Sequence, residues 1–343
     1  MNFRNTSSQL LVSVLVPCRN EKIFIKKCFE SIIANDYPKN KLEILIIDGM
    51  SEDGTRDIIK QYINKYPYIR LLDNPRKITS CALNKGIKNA KGEIIAWMSA
   101  HNEYQKTHIS KCVRYLKEFN VDAVGGIIIP IPGDNSFIGK TICAAISNLF
   151  GVGTSAHKTE PIEKTPHITD TAFGVCYKKE VFKKVGLFNE KLIRGQDMEF
   201  ALRLKKAGLK ILLAPEIASH YYTRSGLKSF LKHNFTNGVW AILPFKYTNI
   251  IPVSLRHLIP LIFVLSLIGL GISAFFSLVS LLSFLLIVGL YFLCNFCFSL
   301  QIAIREKDLR LLFLMPVMFF IFHFSYGLGS VWGLVTYFKK RQS

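Results

Sequence analysis

The chain has 343 residues, half of them hydrophobic, and carries 44 Lys and Arg against 24 Asp and Glu for a formal net charge of +20. Its eight cysteines follow no paired framework, and no helix-turn-helix, zinc-finger or RNP-like pattern aims the charge at bases, which excludes a disulfide scaffold and a nucleic-acid partner. Membrane lipids and anionic, diphosphate-bearing substrates are the expected partners, since each Lys or Arg beside anionic lipid adds about 1 kcal/mol of attraction.

The apolar stretch Leu10 to Val16 is too short for a secretory signal and runs into Pro17, Arg19, Asn20 and Glu21, so the half that follows is expected in the cytoplasm. From there apolar strands alternate with helical spacing. Leu11–Val16, Leu42–Ile47, Ile69–Leu72 and Glu93–Met98 read as strands, and Glu21–Ala34, Thr55–Lys65 and Thr79–Ala90 as helices. This βαβα rhythm predicts an α/β fold with a mostly parallel sheet covered on both faces. Gly151–Thr169 reads as a loop beside the site, and Ala172–Tyr177 as a further strand before a helical KKEVFKKVG.

The carboxyl ends of parallel strands open onto the ligand crevice of such sheets. Three polar features fall there. Pro17-Cys18-Arg19-Asn20-Glu21 is a turn able to present backbone and side chains to a nucleotide. Asp48, in EILIIDGMSEDGT, can accept from a ribose hydroxyl or base N–H while its turn offers amides to phosphate, or can simply close the turn. Trp97-Met98-Ser99-Ala100-His101 ends a fourth strand.

Further on, Gln196-Asp197-Met198-Glu199 opens a helix, and residues 226–257 begin with GLKSFLKHNFTNGVW, whose amphipathic spacing predicts a segment lying along lipid headgroups. Lys140–Val152 is a second candidate of that kind. Leu258 to Ile304 and Leu311 to Phe338 contain no Asp, Glu, Lys or Arg, and each exceeds the roughly 20 apolar residues that span a bilayer. The expected organisation is a cytoplasmic domain at 1–225, the interfacial segment at 226–257, about three transmembrane helices at 258–338 and a basic tail at 339–343. Two of the helices meet at a turn near Ser273 to Ser280, and Pro316 kinks the third. Arg305, Lys307 and Arg310 should face the cytoplasm. A third full crossing would put Lys339, Lys340 and Arg341 outside, so a re-entrant last segment is the alternative.

The stretches VSVLVPCRNE, EILIIDGMSEDGT, LNKGIKNAKGEIIAWMSAH, DTAFGVCYKKEVFKKVGLFNE, RGQDMEFALRLKKAG and PEIASHYYTRSGLKSFLKHNFTNG, in that order over Leu11 to Trp240, resemble glycosyltransferase family 2, and most closely its ExoA-like, succinoglycan-biosynthesis branch. The resemblance implies a GT-A (Rossmann-like) catalytic domain. It implies a nucleotide-sugar donor, commonly a UDP-sugar, bound through Pro17, Arg19, Glu21, Asp48 and Ser99, with Asp48 on the nucleobase. It makes Asp197 the general base of an inverting displacement; by itself the residue reads first as a helix-capping Asp.

Where the family usually places Asp-x-Asp or Asp-Ala-His, this chain has Ser99-Ala100-His101. His101 and His220 are left as candidate ligands of a divalent cation, and imidazoles suit Mn²⁺ better than Mg²⁺. Alternatively either is a structural imidazole, and basic groups neutralise the leaving diphosphate. Contacts to diphosphate or acceptor fall to His157, Lys158, Gln196, Arg224, Lys232 and His233. With the anchor, the resemblance implies transfer to a polyprenyl-linked saccharide in cell-surface or exopolysaccharide biosynthesis. A nucleotide-binding scaffold without catalysis and a processive synthase are the alternatives; the synthase normally has a Gln-x-x-Arg-Trp-like motif, which is missing here.

Overall fold

The computed structural model describes residues 9–153, 165–248 and 255–339. The chain divides into two compact units, Met1–Ile129 with Glu160–Tyr222, and Pro130–Thr159 with Thr223–Ser343. In chain order the first contains β1 (Val12–Cys18), α1 (Ile25–Ile33), β2 (Leu42–Asp48), α2 (Thr55–Lys65), β3 (Ile69–Asp73), α3 (Thr79–Asn89), β4 (Ile94–Trp97), β5 (Asn102–Tyr104), α4 (His108–Glu118) and β6 (Ala123–Ile131), whose last residues enter the second unit. The second unit takes α5 (Phe137–Ile146) and α6 (Leu149–Val152). The first resumes with β7 (His167–Thr169), β8 (Phe173–Lys178), α7 (Val181–Val185), α8 (Gln196–Lys206) and β9 (Ile211–Tyr222). The second ends with α9 (Leu227–Ile242), α10 (Ile259–Ser273), α11 (Leu278–Arg305) and α12 (Leu311–Lys339).

The strands form one sheet in the order β3-β2-β1-β4-β8-β6-β9-β5, with β7 also on β9. Its first half is parallel, with Val12 opposite Leu42 on one side and Ile94 on the other. Beyond β4 the direction reverses: β8 runs antiparallel to β4 and to β6, and β5 and β7 antiparallel to β9. The sheet is therefore mixed. Successive residues of a strand face opposite sides, and the core follows that alternation. Val12, Val14, Val16, Ile44 and Ile46 pack with Phe29, Ile59 and Ile109 of α1, α2 and α4. Leu15, Leu45 and Ile47 pack with Leu83, Phe182 and Phe200 of α3, α7 and α8. Both faces are covered, as the sequence predicts.

A buried imidazole braces β8. Gly174 has a left-handed φ of +58°, and a Cβ there would lie 2.7 Å from the His108 ring. His108 Nε2 donates to the Gly174 carbonyl at 2.8 Å, so this ring is neutral with its proton on Nε2 and Nδ1 facing Ser219 Oγ at 3.5 Å. Burial lowers its pKa to about 4. The unfolded chain takes up the proton first, near 6.5. Stability is thus intact above that pH and falls by on the order of 3 kcal/mol as pH drops towards 4. We expect thermal melts between pH 7.5 and pH 5 to lose several degrees less in His108→Gln; equal losses would assign the acid sensitivity elsewhere.

In the second unit, α5 is apolar on most sides. It buries Ile142 and Ala145 against Phe230, Leu311, Met318 and Phe319, which explains why Pro130–Thr159 leaves the unit that surrounds it in sequence. The helix α9, expected along headgroups, meets α12 backbone to backbone on one side. A Cβ at Gly329 would lie 2.0 Å from the Phe235 carbonyl oxygen, and one at Gly238 1.9 Å from that of Tyr326. Leu227 and Leu231 remain exposed on its outer side.

Three apolar helices follow, with the break between Ser273 and Leu278 where the sequence places a turn. Two are long and apolar enough to cross a membrane, α11 with 28 residues and α12 with 29; α10, with 15, falls short. Only 6% of the most apolar stretch of α11 is buried, which is not how a soluble core helix behaves. Several polar groups of these helices find partners: Tyr291 Oη of α11 and His323 Nδ1 of α12 lie 3.2 Å apart, His323 Nε2 donates to the Phe150 carbonyl of α6, and Asn295 Nδ2 donates to the Pro316 carbonyl.

Candidate active site

The ends of β1, β2 and β4 carry the residues singled out by sequence, and the loops after β1 and β2 are tied together. Asn20 N donates to Ser51 Oγ, Glu52 N to Asn20 Oδ1, Glu21 N to Thr55 Oγ1 and Lys22 N to Asp53 Oδ2, all within 3.1 Å. This clamp fixes where Arg19 and Glu21 stand. Two amides of the β2–α2 turn are taken up within the turn itself, Ser51 N donating to Asp48 and Thr55 N to Asp53.

A cavity of about 330 Å³ opens at these strand ends, lined by Pro17, Cys18, Arg19, Glu21, Gly49, Asn74, Lys77, Ile78, Thr79, Ala82, Trp97, Ser99, Ala100, His101 and Gln196. Pro17, Arg19, Glu21, Ser99, His101 and Gln196 are thereby brought together. The stem of Arg19 lies across Gly49, where a Cβ would meet it at 3.1 Å. Ser99 is fixed by its backbone, its amide donating to Tyr104 Oη and its carbonyl accepting from the Cys28 thiol at 3.5 Å. Burial and the nearby Asp48 push the Cys18 thiol far up, so it stays protonated and is no nucleophile.

Asp48 is fully buried and does not line this cavity. Its carboxylate accepts from Ser51 N and Oγ, from Arg56 Nη1 at 2.7 Å and weakly from the Cys18 thiol. Arg56 also pairs with Asp73, so the acid closes the β2–α2 turn.

A second cavity of about 170 Å³ shares Trp97, Ser99 and Gln196 with the first and is otherwise lined by Thr171, Ala172, Phe173, Gly174, Val175, Tyr177, Asp197, Ala201 and Ile211. Asp197 is exposed at its edge, in the first turn of α8. The helix is aimed by Gly195, left-handed at φ +74°, and held by Arg203, which pairs with Glu199 at 2.8 Å and donates to the Leu187 carbonyl. Acidic residues in its first turn and basic ones in its last suit the helix dipole. Burial, with the charge of Asp197, drives the Tyr177 phenol up, so that hydroxyl stays protonated beside the carboxylate.

His101 and His220 are not brought together. Glu103 pairs with His220 across β5 and β9, and the His101 ring packs edge-on against the adjacent Tyr221 at 5.4 Å. Strand alternation turns neighbours to opposite faces, so His220 points away from His101. The partner of His101 is Glu21, with Nδ1 3.2 Å from Oε1. Among the described residues no three His, Cys, Asp or Glu side chains cluster as cation ligands. Arg224, Lys232 and His233 belong to the second unit, where Arg224 Nε donates to His233 Nδ1. His157 and Lys158 lie outside the described residues.

Sequence reasoning passed over Asn74, Lys77 and Thr79. They follow β3, and the strand-end rule that found Arg19 and Ser99 applies to them equally. Lys77 stands in the left-handed region at φ 58°, as do Asn20 and Met50 after β1 and β2, a concentration of costly backbone at one rim.

A mixed sheet, parallel on the side where its strand ends meet a cationic cavity and flanked by a carboxylate-bearing one, is the framework of a GT-A enzyme. The chain belongs to glycosyl transferase family 2, whose model matches residues 13–186. It is 30% identical, over 94% of its own length and 97% of the relative's, to a Methanococcus voltae protein named dolichyl N-acetyl-alpha-D-glucosaminyl phosphate 3-beta-D-2,3-diacetamido-2,3-dideoxy-beta-D-glucuronosyltransferase. It is 27% identical to the succinoglycan biosynthesis protein ExoA of Rhizobium meliloti over 76% of this chain and 82% of that one. Among solved structures, a mannosyltransferase from Pyrobaculum calidifontis in complex with GDP-Man and Mn²⁺ shares the fold, with a TM-score of 0.61, 17% identity and coverage of 95% and 88%. The protein is a glycosyltransferase.

Proposed function

We propose that the chain is a membrane-anchored, inverting hexosyltransferase that moves a sugar from a nucleotide-sugar donor, a UDP-sugar, to a polyprenyl-linked saccharide in cell-surface or exopolysaccharide biosynthesis. The observation that carries this reading is the pair of cavities with a common wall, one cationic and one bearing the carboxylate of Asp197. The donor's diphosphate lies in the larger cavity against Arg19 and Lys77, whose charges offset the negative charge that grows as it leaves. Asp197 takes the proton of an acceptor hydroxyl while that oxygen bonds to the anomeric carbon. The bond from that carbon to the diphosphate oxygen breaks on the opposite face, and the nucleoside diphosphate departs with the electron pair.

Glu21 and His101 supply one carboxylate and one imidazole to the same cavity. That set suits a divalent cation completed by the donor's phosphate oxygens and water, as Mg²⁺ and Mn²⁺ are often held, and the imidazole favours Mn²⁺. Bound there, the ion would supply Lewis-acid stabilisation of the leaving diphosphate. The relatives' names and the exposed apolar length of α11 support a lipid-linked acceptor. Arg305 at the end of α11, with Lys307 and Arg310 before α12, supports a multi-pass anchor with the catalytic unit in the cytoplasm.

The test is sugar transfer by the detergent-solubilised protein, with a panel of nucleotide sugars and a membrane-lipid extract as acceptor. We expect transfer from a UDP-sugar, at least tenfold loss with a chelator and recovery with Mn²⁺. Full activity in chelator would leave Arg19 and Lys77 alone at the diphosphate, and nucleotide binding without any transfer would replace the enzyme with a scaffold.

A further inference from the structure

We infer that the transferred sugar carries an N-acyl group, seated in the smaller cavity and read by Trp97 and Gln196; this rests on the nucleotide-sugar reading above. Among the described residues, a few buried side-chain atoms lack a hydrogen-bond partner, and two of these belong to residues lining the cavities: Trp97 Nε1 and Gln196 Oε1. Both residues stand in the wall common to the two cavities, where a donor's sugar bridges diphosphate and base. An indole N–H can only donate and an amide oxygen only accept. Leaving either unmatched in a dry site is costly, so the pair specifies a ligand group with one acceptor and one donor.

The wall behind them narrows the choice. Ala172, Val175, Ala201 and Ile211 give the smaller cavity an apolar side. A single hydroxyl could answer both orphan atoms but would leave that recess to water, and a sugar bearing only hydroxyls would set polar groups against hydrocarbon. An N-acyl substituent meets all three demands, its carbonyl accepting from the indole, its N–H donating to the Gln196 oxygen and its methyl lying on the apolar side. The reading atoms are held in place. Trp97 packs edge-on against Phe188 at 5.5 Å, and Gln196 is the first residue of α8, directly after the left-handed Gly195.

Calorimetry on the full chain in detergent, with UDP, UDP-glucose and UDP-N-acetylglucosamine, tests this. We expect the N-acetylated sugar to bind at least tenfold tighter than the plain hexose. Trp97→Phe keeps the ring on Phe188 but deletes the donor, Gln196→Leu deletes the acceptor, and each should cut that ratio to threefold or less. Binding of UDP with equal affinity for the two sugars, or a ratio unchanged in both variants, would overturn the inference while leaving the nucleotide-sugar reading intact. Failure of all three ligands to bind the folded protein would overturn that reading and this inference with it.

Discussion

Replacing Asp197 with Asn should lower the rate of sugar transfer by about 10²- to 10⁴-fold, the usual contribution of a positioned general base, while donor affinity changes by less than about threefold. The carboxylate is exposed at the mouth of the smaller cavity, so it is open to an incoming acceptor. It stands in the first turn of α8, whose placement depends on Gly195 and on the Arg203 contacts rather than on Asp197 itself. The amide variant is near-isosteric and should leave the fold and the larger cavity intact. Single-turnover transfer and calorimetric donor binding, measured side by side, separate the two quantities. A rate within threefold of the native protein would remove Asp197 from the chemistry.

Asp48→Ala should destabilise the ligand-free protein by about 3 kcal/mol, the low end for breaking a buried ion pair. The acid is fully buried and holds Ser51 N, Ser51 Oγ and Arg56, but Arg56 keeps its second carboxylate, Asp73, and is itself partly exposed. On a unit of this size that loss lowers the melting temperature by on the order of 5–10 °C. Differential scanning fluorimetry without nucleotide is the measurement. If stability were unchanged and only donor affinity fell, Asp48 would reach the nucleobase after all, as the family resemblance implies.

These two residues show what was legible in the sequence. Both stand out by position, one after an apolar strand and one opening a helix, and the period-two and helical patterns locate such places well; the helix Thr55–Lys65 agrees with the structure to the residue, and the break between Ser273 and Leu278 falls within the expected turn. Position does not reveal which neighbours consume a side chain. Arg56, eight residues on in an ordinary helical turn, decides whether Asp48 faces ligand or fold. Likewise, His101 and His220 are separated by a strand register that pairs Glu103 with His220, and one residue of slip would turn His220 to the other face. The antiparallel half of the sheet was hidden for a related reason, since an apolar strand such as Phe173–Lys178 reads the same in either direction. The orphan atoms of Trp97 and Gln196 exist only in three dimensions.

The close seam between α9 and α12 has a practical side. Where main chains touch at Gly238 and Gly329, neither helix has side chains at those points to solvate when the other is absent. Cutting the protein after α9 to obtain a soluble enzyme would bare that seam and the buried Phe230, an invitation to aggregate. The division between the compact units falls earlier, at Tyr222, and also sets apart Pro130–Thr159. A fragment shortened along that division is therefore best ended at Tyr222, with residues 132–159 replaced by a short flexible link so that β6 stays whole.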